Sequence, residues 1–134
     1  MKYKLLEHTA DAMVEVYGKT LGELFGNAAY AMFDQMTDLS KVRPRGELKI
    51  VMSGKTREQL LVDFLQELLF VSDTEDLVFS EFEIKTDGKT LEAVVRGEKF
   101  DGKRHTKRSL VKGVTYHKLE FDDQKGRITL LFDV

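Results

Sequence analysis

Two stretches in which apolar residues recur every third or fourth position constrain this chain more than any other feature. In the first, Leu21, Leu24, Phe25, Ala28, Ala29, Met32, Phe33 and Met36 fall on one face of a helix. Thr20 and Glu23 form a capping-box pattern at its start. In the second, Thr56 and Gln59 repeat that pattern ahead of Leu60, Leu61, Phe64, Leu65, Leu68 and Leu69. Apolar stripes of this width have to be covered by a packed layer. Gly22 and Gly26 weaken the first helix by about 1 kcal/mol each relative to alanine, unless a close neighbour uses the missing side chains.

The covering layer is β-structure. Tyr3–Glu7 and Met13–Tyr17 read as strands, rich in β-branched and aromatic residues, with His8–Asp11 as their connection. Thr37–Gly46 carries the single proline and reads as a loop. Leu48, Ile50 and Met52 alternate as a strand, so strand followed by capped helix occurs twice and suggests a weak duplication. Phe82 and Ile84 alternate with charged neighbours. Asp87-Gly88 then marks a tight hairpin, because both residues tolerate positive φ. Leu91–Arg96 is the return strand and the polar Gly97–Ser109 a loop. Val114 and Tyr116 run out of phase with Leu119 and Phe121, which predicts a bulge near His117-Lys118. Asp122–Gly126 turns the chain into a last strand through Ile128, Leu130 and Phe132. The expected fold is α+β, a two-layer sandwich with two amphipathic helices packed on a mostly antiparallel mixed β-sheet. The 134 residues, 42% of them hydrophobic, make a single domain spanning 1–134.

Composition excludes several classes of function. The absence of cysteine removes disulfides, zinc-thiolate sites and thiol catalysis. No run approaches the roughly 18 apolar residues of a membrane span, and the opening MKYKLLEHTADA lacks a secretory pattern. A cytoplasmic protein without membrane contact is expected. A net charge of −2 supplies no global field toward DNA or RNA, so any such contact has to come from a local patch. P-loop, GxGxxG, GxSxG and HExxH patterns are all missing.

Three places carry chemistry. The histidines His8, His105 and His117 have no metal-ligand spacing along a helix. Asp11 follows His8 and Thr9 in a strand connection, where it either satisfies backbone N–H groups of a turn or belongs to a site. At the other end the last strand runs straight to Asp133-Val134, offering a side-chain and an α-carboxylate on short tethers. Were Asp11 to approach them, like charges about 4 Å apart would repel by roughly 4 kcal/mol per pair at an effective dielectric of 20. Such a cluster needs a lysine or a hard cation, and oxygen-only ligation favours calcium or magnesium over zinc. The spacing leaves open whether the ends meet. The third place is the basic stretch from Lys99 to Lys112, with Lys103, Arg104, Lys107 and Arg108, which is either solvated surface or a phosphate-contacting loop.

The residues Glu7-His8-Thr9-Ala10-Asp11, Leu21-Gly22-Glu23-Leu24-Phe25, Leu60–Leu65 and Glu67-Leu68-Leu69 together resemble the archease family. The likeness continues through Gly97-Glu98, His105, Val111-Lys112-Gly113-Val114-Thr115-Tyr116-His117 and the closing Asp133-Val134. It covers nearly the whole chain in order, and the opening HTAD and late VKGVTYH are specific in combination. The resemblance implies an accessory protein of an RtcB-type RNA ligase in tRNA splicing and RNA repair. In that role it promotes guanylylation of the ligase histidine, multiple turnover and a wider nucleotide preference. It implies a divalent cation, calcium, on Asp11, Asp133 and the terminal carboxylate of Val134. Candidate partner contacts are His8, Arg104, His105 and Lys112, with indirect contact to RNA or GTP. Leu110 stands where the family commonly has an acidic residue, and Arg104-His105 where it has Lys-His, a swap that changes donor geometry.

The leading expectation is a non-enzymatic activator. The alternative is a direct RNA-binding or chaperone-like module acting through loop 99–112. A metal hydrolase would need a water-activating base, for which His8 or His105 has no evident partner.

Overall fold

A computed structural model gives the fold. It describes residues 1–8 and 11–134, with Glu7 and His8 described by backbone alone, so Thr9 and Ala10 of the expected connection lie outside the described residues. The elements are β1 (Tyr3–His8), β2 (Asp11–Tyr17), α1 (Leu21–Met36), a 3-10 turn (Leu39–Lys41), β3 (Gly46–Ser53), α2 (Arg57–Glu75), β4 (Leu77–Thr86), β5 (Thr90–Lys99), β6 (Gly113–Asp122) and β7 (Arg127–Asp133). Both helices start where the caps predict. The Glu23 N–H donates to Thr20 Oγ1 and the Gln59 N–H to Thr56 Oγ1, each at 3.1 Å. These bonds satisfy orphan donors of the first turn. Helix α2 stops at Asp76, whose left-handed backbone (φ 55°) turns the chain into β4.

The fold is α+β, as expected, and every strand pairing is antiparallel. The expected single mixed sheet is instead two sheets, ordered β1-β2-β7-β6 and β3-β5-β4. Helix α1 lies along the outer strand β4 and helix α2 along the outer strand β6. A Cβ at Gly22 would strike the backbone carbonyl of Ile84, and one at Gly26 would lie 3.3 Å from that of Phe82, so α1 runs directly against β4. Helix α2 covers β6, and the Gln66 amide donates to the Val114 carbonyl at 3.1 Å. One core joins the layers: Phe25, Met32 and Phe33 from α1, Leu61, Phe64 and Leu65 from α2, and Val14, Leu130 and Phe132 from the four-stranded sheet. Burial of this apolar area is the main stabilising term. The suggested duplication has no counterpart in topology, since β2 is an inner strand and β3 an edge.

Two of the boundaries that differ from the sequence reading bear on the candidate site. Asp11 is the first residue of β2 rather than part of a turn. Strand β5 runs past Gly97 to Lys99 instead of ending at Arg96. Gly97 is not a breaker: the Val78 carbonyl occupies the space its Cβ would need, beside a register shift between Phe79 and Glu81. The bulge near His117-Lys118 is present, with pairing interrupted between Thr115 and Glu120 and Lys118 at φ 61°. Among the described residues, no helix is long and apolar enough to cross a membrane.

Candidate functional site

Strand β7 lies between β2 and β6, and its register places Asp133 directly opposite Asp11 on one side and Gly113 on the other. Alternation decides where the two aspartates point. Ala12, Val14 and Val16 of β2 and Ile128, Leu130 and Phe132 of β7 are buried. Asp11 and Asp133 therefore project from the opposite, solvent-facing side of the sheet. Residues directly opposite on antiparallel strands have Cβ atoms about 4.5–5.5 Å apart, a spacing at which like charges destabilise the pair. Among the described residues neither carboxylate has a Lys, Arg or His partner or accepts a hydrogen bond. The backbone is held in place, with the Lys112 N–H donating to the Asp133 carbonyl at 2.7 Å. Gly113 leaves the neighbouring position open, since a Cβ there would meet nothing within 4 Å. The Val134 side chain packs against the core, tethering the α-carboxylate one residue beyond Asp133.

Two facing carboxylates, without an ion-pair partner among the described residues, and a third on a short tether are oxygen-only donors, the type a hard divalent cation takes. Of the expected ligands Asp11, Asp133 and Val134, the register sets the first two opposite each other. Among the described residues, three His, Cys, Asp or Glu side chains do not converge anywhere, so the pair depends on the α-carboxylate for a third donor. The side chain of His8, a candidate contact near this end, lies outside the described residues.

The basic loop is organised around Glu98, near the end of β5. Its buried carboxylate accepts from Arg104 Nη2 at 2.8 Å, from the Arg43 backbone N–H at 2.8 Å, and from His105 Nε2 at 2.9 Å. His105 is itself buried, and its Nδ1 accepts from the Asp101 backbone N–H at 2.8 Å. An Nδ1 that accepts carries no proton, so Nε2–H is the donor to Glu98. The Arg104 guanidinium, aided by the Arg43 N–H and His105, holds the Glu98 carboxyl down at about 2. His105 is therefore an internal strut, and Arg104 is committed to Glu98.

Other cations of the loop are also engaged. Lys99 Nζ donates to the Glu75 carbonyl at 2.6 Å, and Arg108 Nη1 to the Asp34 carbonyl at 2.9 Å. The Arg108 and Ser109 N–H groups dock the loop onto the end of α1 through the Met36 and Gln35 carbonyls. Lys103, Lys107 and Lys112 remain exposed.

Beside this loop an apolar groove of about 700 Å³ runs between α2 and residues 107–113. Phe70 and Leu110, 63% and 64% exposed, flank it, and Met36, Leu69 and Phe100 contribute to its walls. Sequence reasoning missed Phe70 because it sits just past the stripe of α2, and named Glu98 only within the family resemblance, with no role, because it fell in a presumed loop.

The archease protein family model matches residues 3–134. The chain is 40% identical over 135 residues to protein archease of Sulfurisphaera tokodaii, covering 99% of this chain and 97% of that one. It is 42% identical to protein archease of Saccharolobus islandicus, covering 98% and 96%. Among solved structures, a Methanobacterium thermoautotrophicum protein determined in solution superposes with a TM-score of 0.81 at 38% identity, over 99% of both chains. A Thermotoga maritima crystal structure, described as an archease and possible chaperone, shares the fold with a TM-score of 0.64 at 21% identity, covering 98% and 96%.

Proposed function

The chain belongs to the archease family, and from that premise we propose that it is a non-enzymatic accessory protein of an RtcB-type RNA ligase in tRNA splicing and RNA repair. The observation that carries the reading is the facing of Asp11 and Asp133 at the end of two adjacent strands. Two carboxylates on the exposed face of a rigid ladder can present a cation outward to another protein's site. Asp11, Asp133 and the Val134 α-carboxylate would hold calcium, which when bound supplies positive charge for phosphate oxygens. The chain's own contribution is positional. The Lys112–Asp133 backbone bond and the buried neighbours Ala12 and Phe132 hold the two strand ends from which the carboxylates project.

The lack of cysteine and of the P-loop, GxSxG and HExxH patterns in the sequence fits this division of labour. Loop 99–112 and the groove beside it, with Phe70 and Leu110 exposed, form the surface we assign to ligase contact, with RNA or GTP reached through the ligase. The test is multiple-turnover ligation by the cognate ligase. Wild-type protein should stimulate it, and Asp11→Ala should abolish stimulation while calcium titration shows lost binding. Full stimulation by Asp11→Ala would refute the role of the cluster.

The second reading is a chaperone-like module, favoured by the same exposed apolar groove. It predicts protection of non-native clients without ligase, lost in Phe70→Ser and unaffected by Asp11→Ala.

A further inference from the structure

The two sheets have four edges, and among the described residues three of them are blunted. Strand β1 has a register break between Leu5 and Glu7. Strand β6 carries the bulge at Lys118 and lies under α2, which reaches its Val114 carbonyl. Strand β4 is broken between Phe79 and Glu81 and lies against the glycines of α1. Bulges and covering helices are the ordinary means of keeping an edge from pairing with another chain. Strand β3 has neither. It pairs with β5 in unbroken register over Gly46–Ser53, and its other edge faces no strand. It also exposes Val51 at 78%.

Charge on the outer face of this sheet stops unevenly at that edge. Arg96 of β5 binds Glu83 of β4 at 2.8 Å and Glu47 of β3 at 3.1 Å, with Glu81 at 3.8 Å. Three carboxylates therefore share one guanidinium, and the row ends on Glu47 at the open edge. Lys49 follows two residues later on the same face of β3. An antiparallel two-fold pairing centred on Leu48 would set Glu47 opposite Lys49 of a second copy, twice over, and Leu48 opposite Leu48. It would extend the alternating row with the cation it lacks. A pairing centred on Lys49 would oppose two lysines, which is unfavourable.

We propose that β3 is a homodimerisation edge, joining a second copy through the Leu48-centred antiparallel register into one continuous six-stranded sheet. Its occupant is a second copy because the edge is self-complementary in charge. A partner's strand would need no such order. The dimer edge and the Asp11–Asp133 pair lie in different sheets.

The experiment is sedimentation velocity over a concentration series at low salt, with amide hydrogen exchange on the same samples. The wild-type chain should show a monomer–dimer equilibrium and concentration-dependent protection confined to β3. Lys49→Glu should weaken dimerisation by about tenfold, since two attractive cross-strand pairs become repulsive. Adding Glu47→Lys to Lys49→Glu should restore it, because the swapped pairs are again opposite in sign. Circular dichroism of each variant controls for folding. A chain that stays monomeric at millimolar concentration overturns the proposal. So does a dimer indifferent to Lys49→Glu, or a folded double variant that fails to recover. Protection of β3 that appears only on adding ligase would overturn it in favour of a heterologous partner.

Discussion

The imidazole of His105 and the carboxylate of Glu98 face each other across 2.9 Å with both side chains buried. Glu98 also takes an N–H from Arg43 and the guanidinium of Arg104, so one carboxylate ties β5 to two separate loops. Glu98→Gln should cost about 2 kcal/mol in urea unfolding at neutral pH, because buried donors lose a charged acceptor. A carboxyl in the unfolded chain titrates near about 4.3, whereas this one is held at about 2. Its contribution is thus fully present above about pH 4.3 and lost as pH falls from there toward 2. The wild-type acid limb should be steeper in that window than that of Glu98→Gln.

The facing aspartates make a prediction of two signs. Asp11→Asn removes a like-charge pair and should raise metal-free stability by roughly 0.5 kcal/mol. The same change should abolish the rise in melting temperature that calcium produces in the wild type, since a bound cation stabilises by ligand linkage. Differential scanning calorimetry with calcium and with chelator reads both. A chelator-insensitive wild type would remove the cation from this site.

Helix propensity and packing disagree at Gly22. Alanine in a helix gains about 1 kcal/mol over glycine, yet here its methyl would strike the Ile84 carbonyl. Overpacking against backbone costs about 1–3 kcal/mol. Gly22→Ala should therefore destabilise on balance, whereas Gly102→Ala, with nothing within 4 Å of its Cβ, should stay within about 0.5 kcal/mol. Chemical denaturation of both variants is sufficient.

Phe70 exposes most of its ring on the groove beside the basic loop. Phe70→Ser should leave stability within about 0.5 kcal/mol. It should lower ligase stimulation by roughly tenfold or more, the ordinary consequence of losing an aromatic anchor at an interface. Binding of the labelled variant to the ligase, measured by titration, separates lost docking from lost activation.

Local signals carried the helices and most strands. The threonine caps, the three-four stripes and the Asp87-Gly88 turn are each decided within a few residues, and the structure has them where the pattern puts them. What was not legible depends on distant partners. Whether Gly97 ends or continues a strand depends on the Val78 carbonyl, and whether one sheet forms or two depends on pairings between strands far apart in sequence. The carboxylate end was half legible: acidity and strand pattern named Asp11 and Asp133, but their facing is a matter of register. The count of basic residues in loop 99–112 was legible, but not that Glu98, the Asp34 carbonyl and the Glu75 carbonyl engage Arg104, Arg108 and Lys99.

The inner position of β7 also bears on how fast the molecule assembles. Its ladder with β2 joins residues more than a hundred apart in sequence, beginning at Asp11 and Asp133. Such a closure loses chain entropy before any packing compensates, so it belongs among the slow steps of folding. Until it forms, β2 and β7 each leave an edge bare that the native state hides, and a crowded solution can capture it. Refolding yield should then fall as protein concentration rises, even though the finished domain is well packed.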